Sequence, residues 1–295
     1  MIVRTADGWS LGVTVHPAQV RAGAGGGRSG PRTVAVALHA MMADARSLDR
    51  PAGNGMASAL ARHGIEVWRA DLRGHGGSAP TPRDGGSWTY DDVVRGDLPA
   101  LVAAARQAAD RVVVVGHSLG GHTAAAAAAD GAPIDALVLL ATNVWMPSHE
   151  PSLRRRIRKA ASMAAFDGIT RWAGRFPSRR LRFGPADEAA PYVRDLCGFW
   201  WADAWRAGDG TDWFDGLARY PGRVLAVAGA GDALLAHPEA ARRFADGFRR
   251  GAVTFWLAER GRLGLDWDPD HPGLACDPRS APLWDRIGGW IADPA

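Results

Sequence analysis

The chain has 295 residues, 47% of them hydrophobic, 22% charged and 8% aromatic; this suits one large α/β domain or two small ones and excludes a disordered, coiled-coil or collagen-like chain. Its 35 basic and 31 acidic residues leave a formal charge of +4, and every basic residue except Lys159 is arginine. No basic stripe interleaved with aromatics runs through the chain, so nucleic acid is not expected as a partner. No apolar run approaches the roughly 18 residues of a membrane span. The opening MIVRTADGWSLGV lacks the charged-then-apolar pattern of a signal peptide. Two cysteines, Cys197 and Cys276, are too few for a disulfide framework or a metal cluster. The expectation is a cytoplasmic protein with reduced thiols and no bound metal.

In chain order, the first feature is the glycine-rich stretch RAGAGGGRSGPR (21–32), which has a G-x-G-x-x-G spacing at Gly25, Gly27 and Gly30. A dinucleotide site needs a strand before that spacing and a helix after it. Here Pro31 and a strand follow, so the stretch reads as a connection. Six apolar, β-rich runs then stand out at 34–38, 65–70, 112–116, 136–141, 223–229 and 253–258. None alternates polar with apolar residues, so all six are expected as strands buried on both faces. Helical spacing at 56–64 and 97–109, and an alanine run at 122–130, fill gaps between them. Strand alternating with helix predicts a mostly parallel sheet flanked by helices.

One gap is different. Residues 143–222 hold no strand-like run, carry a net charge of +4, and contain Trp145, Trp172, Trp200, Trp201, Trp205 and Trp213. An insertion this long in a compact domain is usually a lid or a subdomain. The expected division is therefore a core of 1–142 and 223–295 and a helical, Trp-rich lid at 143–222, inserted after the strand at 136–141. Trp145, Trp200, Trp201 and Trp205 are candidates to line a substrate pocket, since such pockets are mostly apolar and aromatic. His39 and Met42, in the turn after the strand at 34–38, are further pocket candidates.

The decapeptide VVVVGHSLGG (112–121) places G-x-S-x-G at Gly116, Ser118 and Gly120, between a buried strand and a helix. That context is what a nucleophile elbow requires. A serine hydroxyl needs a base, normally histidine oriented by a carboxylate, and in this arrangement both follow the serine in the chain. Asp232 in GAGD, just past the strand at 223–229, is the expected acid. His271 in DPDHPG, past the last strand, is the expected base, with His237 as the other C-terminal histidine. Two backbone amides must face the attacked carbonyl: those of Leu119, after the nucleophile, and Met41, in the turn LHAMMAD, with Met42 the neighbouring choice. His75 and His117 read as structural hydrogen-bonding residues, and RRRIRK (154–159) as a solvated helix face.

HAMM (39–42), DLRGHGGS (71–78), GHSLGG (116–121), GAGD (229–232) and DHPG (270–273) together resemble the α/β-hydrolase superfamily, in family order and over nearly the whole chain. Within it the chain is similar to bacterial hydrolases of the serine aminopeptidase and monoacylglycerol lipase kind. It departs from the family pattern at Ala40, where a glycine is usual, and at Asp270 before His271. The resemblance implies the α/β-hydrolase fold and a serine hydrolase that needs no cofactor. Such an enzyme would cleave a small-molecule carboxylic ester or thioester by a Ser118–His271–Asp232 triad, through an acyl-enzyme. Acyl transfer or cyclisation with the same triad, or a non-catalytic ligand receptor on the same scaffold, are the alternatives; oligomeric state is left open.

Overall fold

The four valines at 112–115 are all fully buried, which a strand achieves only when apolar layers cover both faces of its sheet. The computed structural model describes residues 1–19 and 31–293; Gly25, Gly27 and Gly30 of the glycine-rich stretch lie outside the described residues. The main sheet contains β1 (Ile2–Arg4), β2 (Ser10–His16), β3 (Thr33–Leu38), β4 (Glu66–Ala70), β5 (Arg111–His117), β6 (Ala136–Leu140), β7 (Arg223–Gly229) and β8 (Val253–Ala258). Their spatial order is β1-β2-β4-β3-β5-β6-β7-β8. The β1–β2 and β2–β4 pairs are antiparallel and every other pair is parallel.

The helices that matter below are α1 (Met56–Ala61), α2 (Leu98–Ala108), α3 (Leu119–Ala129), α4 (Leu153–Ala173), α5 (Ala190–Ala202), α6 (Trp213–Arg219), α7 (Pro238–Ala245) and α8 (Ala281–Ala292). Alternate residues of a strand face opposite sides. Val34, Val36, Val112 and Val114 thus face the layer built from α2 and α3. Ala35, Ala37, Val113 and Val115 face the layer of α1 and α8. With both sides filled, the polar alternation of a half-exposed strand is absent, as expected from the sequence.

Three local expectations change. β8 is an edge strand, with Phe255 and Trp256 only half-buried, because no further strand among the described residues pairs with it; the Arg242 guanidinium lies 3.8 Å from the centre of the Phe255 ring. The helical stretch expected at 97–109 starts earlier, at Tyr90, and passes through a π-helical turn at Val93–Asp97 before α2. Thr89 starts it with a reciprocal cap: its hydroxyl accepts from the Asp92 amide, and the Asp92 carboxylate accepts from the Thr89 amide. Finally, the insertion does hold strand, a two-residue antiparallel pair of Arg175–Phe176 with Glu188–Ala189.

The insertion packs in two ways. α4 and α5 lie against each other over a small core that includes Met42, Met163, Phe176, Val193, Cys197 and Trp200. α6 instead packs on α3, and Trp205, Trp213 and Leu217 belong to the main core under the sheet. Among the described residues no helix is long and apolar enough to cross a membrane.

Candidate active site

β5 ends at His117 and α3 begins at Leu119, so Ser118 alone makes the turn. Its backbone stands at φ 54°, ψ −117°, a strained region for a residue with a Cβ, costing on the order of 1–3 kcal/mol. The surroundings hold it there. Its amide donates to the Leu140 carbonyl at 2.8 Å, and its own carbonyl accepts from the Gly121 and His122 amides at 3.0 Å each. The flanking glycines are needed for room. A Cβ at Gly116 would run into the backbone of Gly121, and one at Gly120 would lie 2.6 Å from the His39 carbonyl oxygen.

Asp232 and His271 arrive from the loops after β7 and β8, so all three side chains meet at the carboxyl ends of parallel strands. Ser118 Oγ is 2.8 Å from His271 Nε2, and His271 Nδ1 is 2.6 Å from Asp232 Oδ2. With Nδ1 protonated, His271 donates to the carboxylate and accepts from the serine hydroxyl. Asp232 also accepts from the amides of Leu235 and Ala236, at 2.9 Å each, and Leu234 at 3.3 Å. Burial works against its charge. The hydrogen bond and charge of His271 and the amides more than offset this and hold the carboxyl below its ordinary value. His237 caps the start of α7, its Nδ1 accepting from the Glu239 amide, and makes no contact with Ser118.

The turn after β3 is fixed on several sides. His39 Nδ1 donates to the Ala40 carbonyl at 2.8 Å, and its Nε2 accepts from the Leu72 amide at 3.1 Å. Burial, with repulsion from His75, lowers the His39 pKa to about 4 and keeps it neutral. Met42 takes φ 63°. Its amide donates to Glu188 Oε1 at 2.6 Å, so Met42 is not the free donor of this turn. The amides of Met41 and Leu119 have no hydrogen-bond partner among the described residues, and both residues border one cavity with Ser118 and His271.

A family described as serine aminopeptidase, S33, matches residues 29–259. The chain belongs to this family. Its fold is that of the α/β-hydrolases. Est1E from Butyrivibrio proteoclasticus, solved with ferulic acid bound, superposes with a TM-score of 0.63 at 16% identity, covering 99% of this chain and all of that one. A monoacylglycerol lipase from Paleococcus ferrophilus gives 0.59 at 14% identity, covering 96% and 98%. Triacylglycerol lipase 2 from Arabidopsis thaliana is 33% identical over 126 residues, which is 40% of this chain and only 30% of the lipase.

In this S33 family member the cavity at Ser118 measures about 520 Å³. Trp145 lines it, anchored by a 2.7 Å hydrogen bond from its Nε1 to the Leu235 carbonyl. Met42 lines it too. The other pocket candidates do not. Trp200 faces the small core between α4 and α5, Trp205 packs on His122, Trp213 and Phe244, and Trp201 is 57% exposed. A helix turns neighbouring residues about 100° apart, so on α5 it is Leu196 and Phe199 that reach the cavity, with Met163 and Phe166 of α4 opposite. His39 sits one layer behind, in a small crevice with His75 and Glu188.

The sequence reading also missed two buried charges. Lys159, read as part of a solvated face, is 1% exposed; its ammonium lies 2.9 Å from Glu150 Oε2 and 4.9 Å from the centre of the Trp145 ring. Glu188 is fully buried and accepts from both Met42 and His75. His75 donates from Nδ1 to the Arg73 carbonyl at 2.9 Å and faces Glu188 from Nε2 at 3.1 Å. Burial opposes a charge on His75, yet the charge and hydrogen bond of Glu188 prevail and raise its pKa to about 9.

Proposed function

We propose that the chain hydrolyses carboxylic esters of an apolar acyl group through an acyl-enzyme on Ser118. The observation that carries this reading is the continuous Ser118–His271–Asp232 chain, at 2.8 and 2.6 Å, opening onto an apolar cavity of about 520 Å³. As Ser118 Oγ attacks the ester carbonyl, its proton passes to His271 Nε2. Asp232 stabilises the resulting imidazolium. The Met41 and Leu119 amides donate hydrogen bonds to the developing oxyanion, a contribution of about 10²–10³ in rate for one such donor. His271 returns the proton to the departing alcohol oxygen, then draws a proton from water as that water attacks the acyl carbonyl, and passes it to Ser118 Oγ as the acyl–serine bond breaks and the acid leaves. Residues 143–202 act as the lid in this reading; the rest of the insertion, with α6, packs on the core.

The cavity also favours an ester over a peptide with a free amino terminus. Among its described lining residues none is acidic, so no carboxylate meets an α-ammonium group, which would be buried there unpaired. The test pairs fluorophosphonate labelling with turnover of a graded series of p-nitrophenyl alkanoates and of amino-acid p-nitroanilides. Labelling at Ser118 with turnover of the alkanoates is expected. Unlabelled Ser118, or faster cleavage of the anilides, refutes the reading.

A further inference from the structure

Glu188 lies in the insertion, yet it binds a turn of the core. Its Oε1 accepts two hydrogen bonds, from the Met42 amide at 2.6 Å and from His75 Nε2 at 3.1 Å. The peptide it holds through the Met42 amide joins Met41 to Met42, so it lies one residue beyond the amide of Met41. That Met41 amide borders the cavity without a partner among the described residues. The same turn is gripped at its other end: the Met42 carbonyl accepts from the Ala186 amide at 3.1 Å. A Cβ at Gly184 would collide with that carbonyl oxygen. Met42 needs such support, since a side chain at φ 63° is strained by on the order of 1–3 kcal/mol.

We infer that Glu188, with its partner His75, is a positioning residue that fixes the Met41 amide for the oxyanion, so that the insertion sets the chemistry as well as covering the site. The inference rests on the acyl-enzyme reading above. A buried carboxylate oxygen that takes a 2.6 Å backbone donor together with an imidazole donor is a strong anchor. His75 reaches it from the DLRGHGGS segment, so the anchor joins three separate parts of the chain: the turn after β3, the loop after β4, and the insertion. His75 itself also faces Asp71, which favours its charge, and neutral His39, whose ring centre is 4.8 Å away. If the turn drifts, substrate still binds in the cavity, but the oxyanion loses a donor. The loss should therefore fall on kcat and leave KM unchanged, because it concerns an interaction made only in the transition state.

The experiment compares Glu188→Gln, Glu188→Ala and Gly184→Ala with the parent protein, with thermal melting to confirm that each is folded. Two readouts are used: kcat and KM on a p-nitrophenyl alkanoate, and inhibition by an alkyl boronic acid, which forms a tetrahedral adduct with the serine. Expected is a fall of about 10²-fold in kcat for Glu188→Ala, a smaller fall for Glu188→Gln, and KM within a factor of about two. Boronate affinity should fall in parallel with kcat. Gly184→Ala, which pushes the same turn from the far side, should show the same signature. Folded Glu188 variants with parental kcat, or a loss confined to KM with boronate affinity intact, overturn the inference. Ser118→Ala is measured alongside. Persistent turnover there sinks the triad reading itself, whereas an inert Ser118→Ala beside fully active Glu188 variants sinks only the role of Glu188.

Discussion

His117 donates its Nε2 hydrogen to the main-chain carbonyl of His271 at 2.9 Å. The residue before the proposed nucleophile thus holds the backbone of the proposed base, and their rings lie 5.3 Å apart. Burial, then repulsion from His271, pushes the His117 pKa down to about 3, so His117 stays neutral and does not compete for protons. His117→Phe removes the bond and keeps the bulk. A typical hydrogen bond contributes about 1 kcal/mol, so a drop of roughly fivefold in kcat is expected, with a fall in melting temperature of about a few degrees at most. Unchanged kcat would show that the β8 loop positions His271 unaided.

The triad should fail as a unit. Ser118→Ala and His271→Ala are each expected to lower kcat by about 10⁴–10⁶, with Asp232→Asn somewhat milder. Steady-state turnover and fluorophosphonate labelling check this together. Near-parental turnover of His271→Ala would remove His271 from the mechanism.

Selectivity should follow the residues that reach the cavity. Phe199→Ala and Leu196→Ala enlarge the apolar space and are expected to move the optimum toward longer acyl chains. Trp201→Ala, at an exposed site, should change neither selectivity nor stability. Trp205→Ala should cost roughly 3–5 kcal/mol of stability, as for other buried aromatics, while leaving the acyl preference intact. A shift in chain-length optimum for Trp205→Ala would contradict the geometry.

Stability should depend on pH through His75. Its folded pKa of about 9 lies above the ordinary 6.5. The folded state therefore holds its proton more tightly than the unfolded chain. That contribution is complete below about pH 6.5 and is lost as pH rises through about 9. Urea denaturation across this window should show the midpoint falling with pH, and falling less steeply in His75→Gln. Equal slopes in the two proteins would mean that the His75–Glu188 pair does not hold its proton.

Lys159 is paired with Glu150, which also accepts from Arg155 Nε at 2.6 Å. Removing one member of a buried pair typically costs about 3–5 kcal/mol. Because Arg155 remains, Lys159→Met should fall near the lower end, about 3 kcal/mol. Chemical denaturation measures it. A loss below about 1 kcal/mol would place this pair with ordinary surface salt bridges.

The strands and the Ser118 elbow were legible in the sequence because strand, turn and helix are adjacent there, and local signals sufficed. Asp232 and His271 were legible for a related reason: each follows a recognisable strand, and the sheet brings their ends together. The pocket wall was harder to read. Phe199 and Trp200 are neighbours of similar character, and only the rotation of α5 against α4 decides which faces substrate. Lys159 looked solvated because the four neighbouring arginines suggest a charged face, and nothing local reveals that Glu150 folds back against it. Glu188 was invisible for the same reason: its partners, Met42 and His75, are more than a hundred residues away.

The buried ammonium of Lys159 is a built-in reporter of local opening. It is the sole lysine of the chain, and in the folded state its amine is shielded between Glu150 and Trp145. An acylating amine reagent can reach it only when the packing of α4 against Glu150 and Trp145 opens. The rate at which mass accumulates on the tryptic peptide spanning residue 159 then reports how often that helix opens, with no competing lysine signal. Adding a boronate and repeating the measurement would show whether occupancy of the cavity slows that opening.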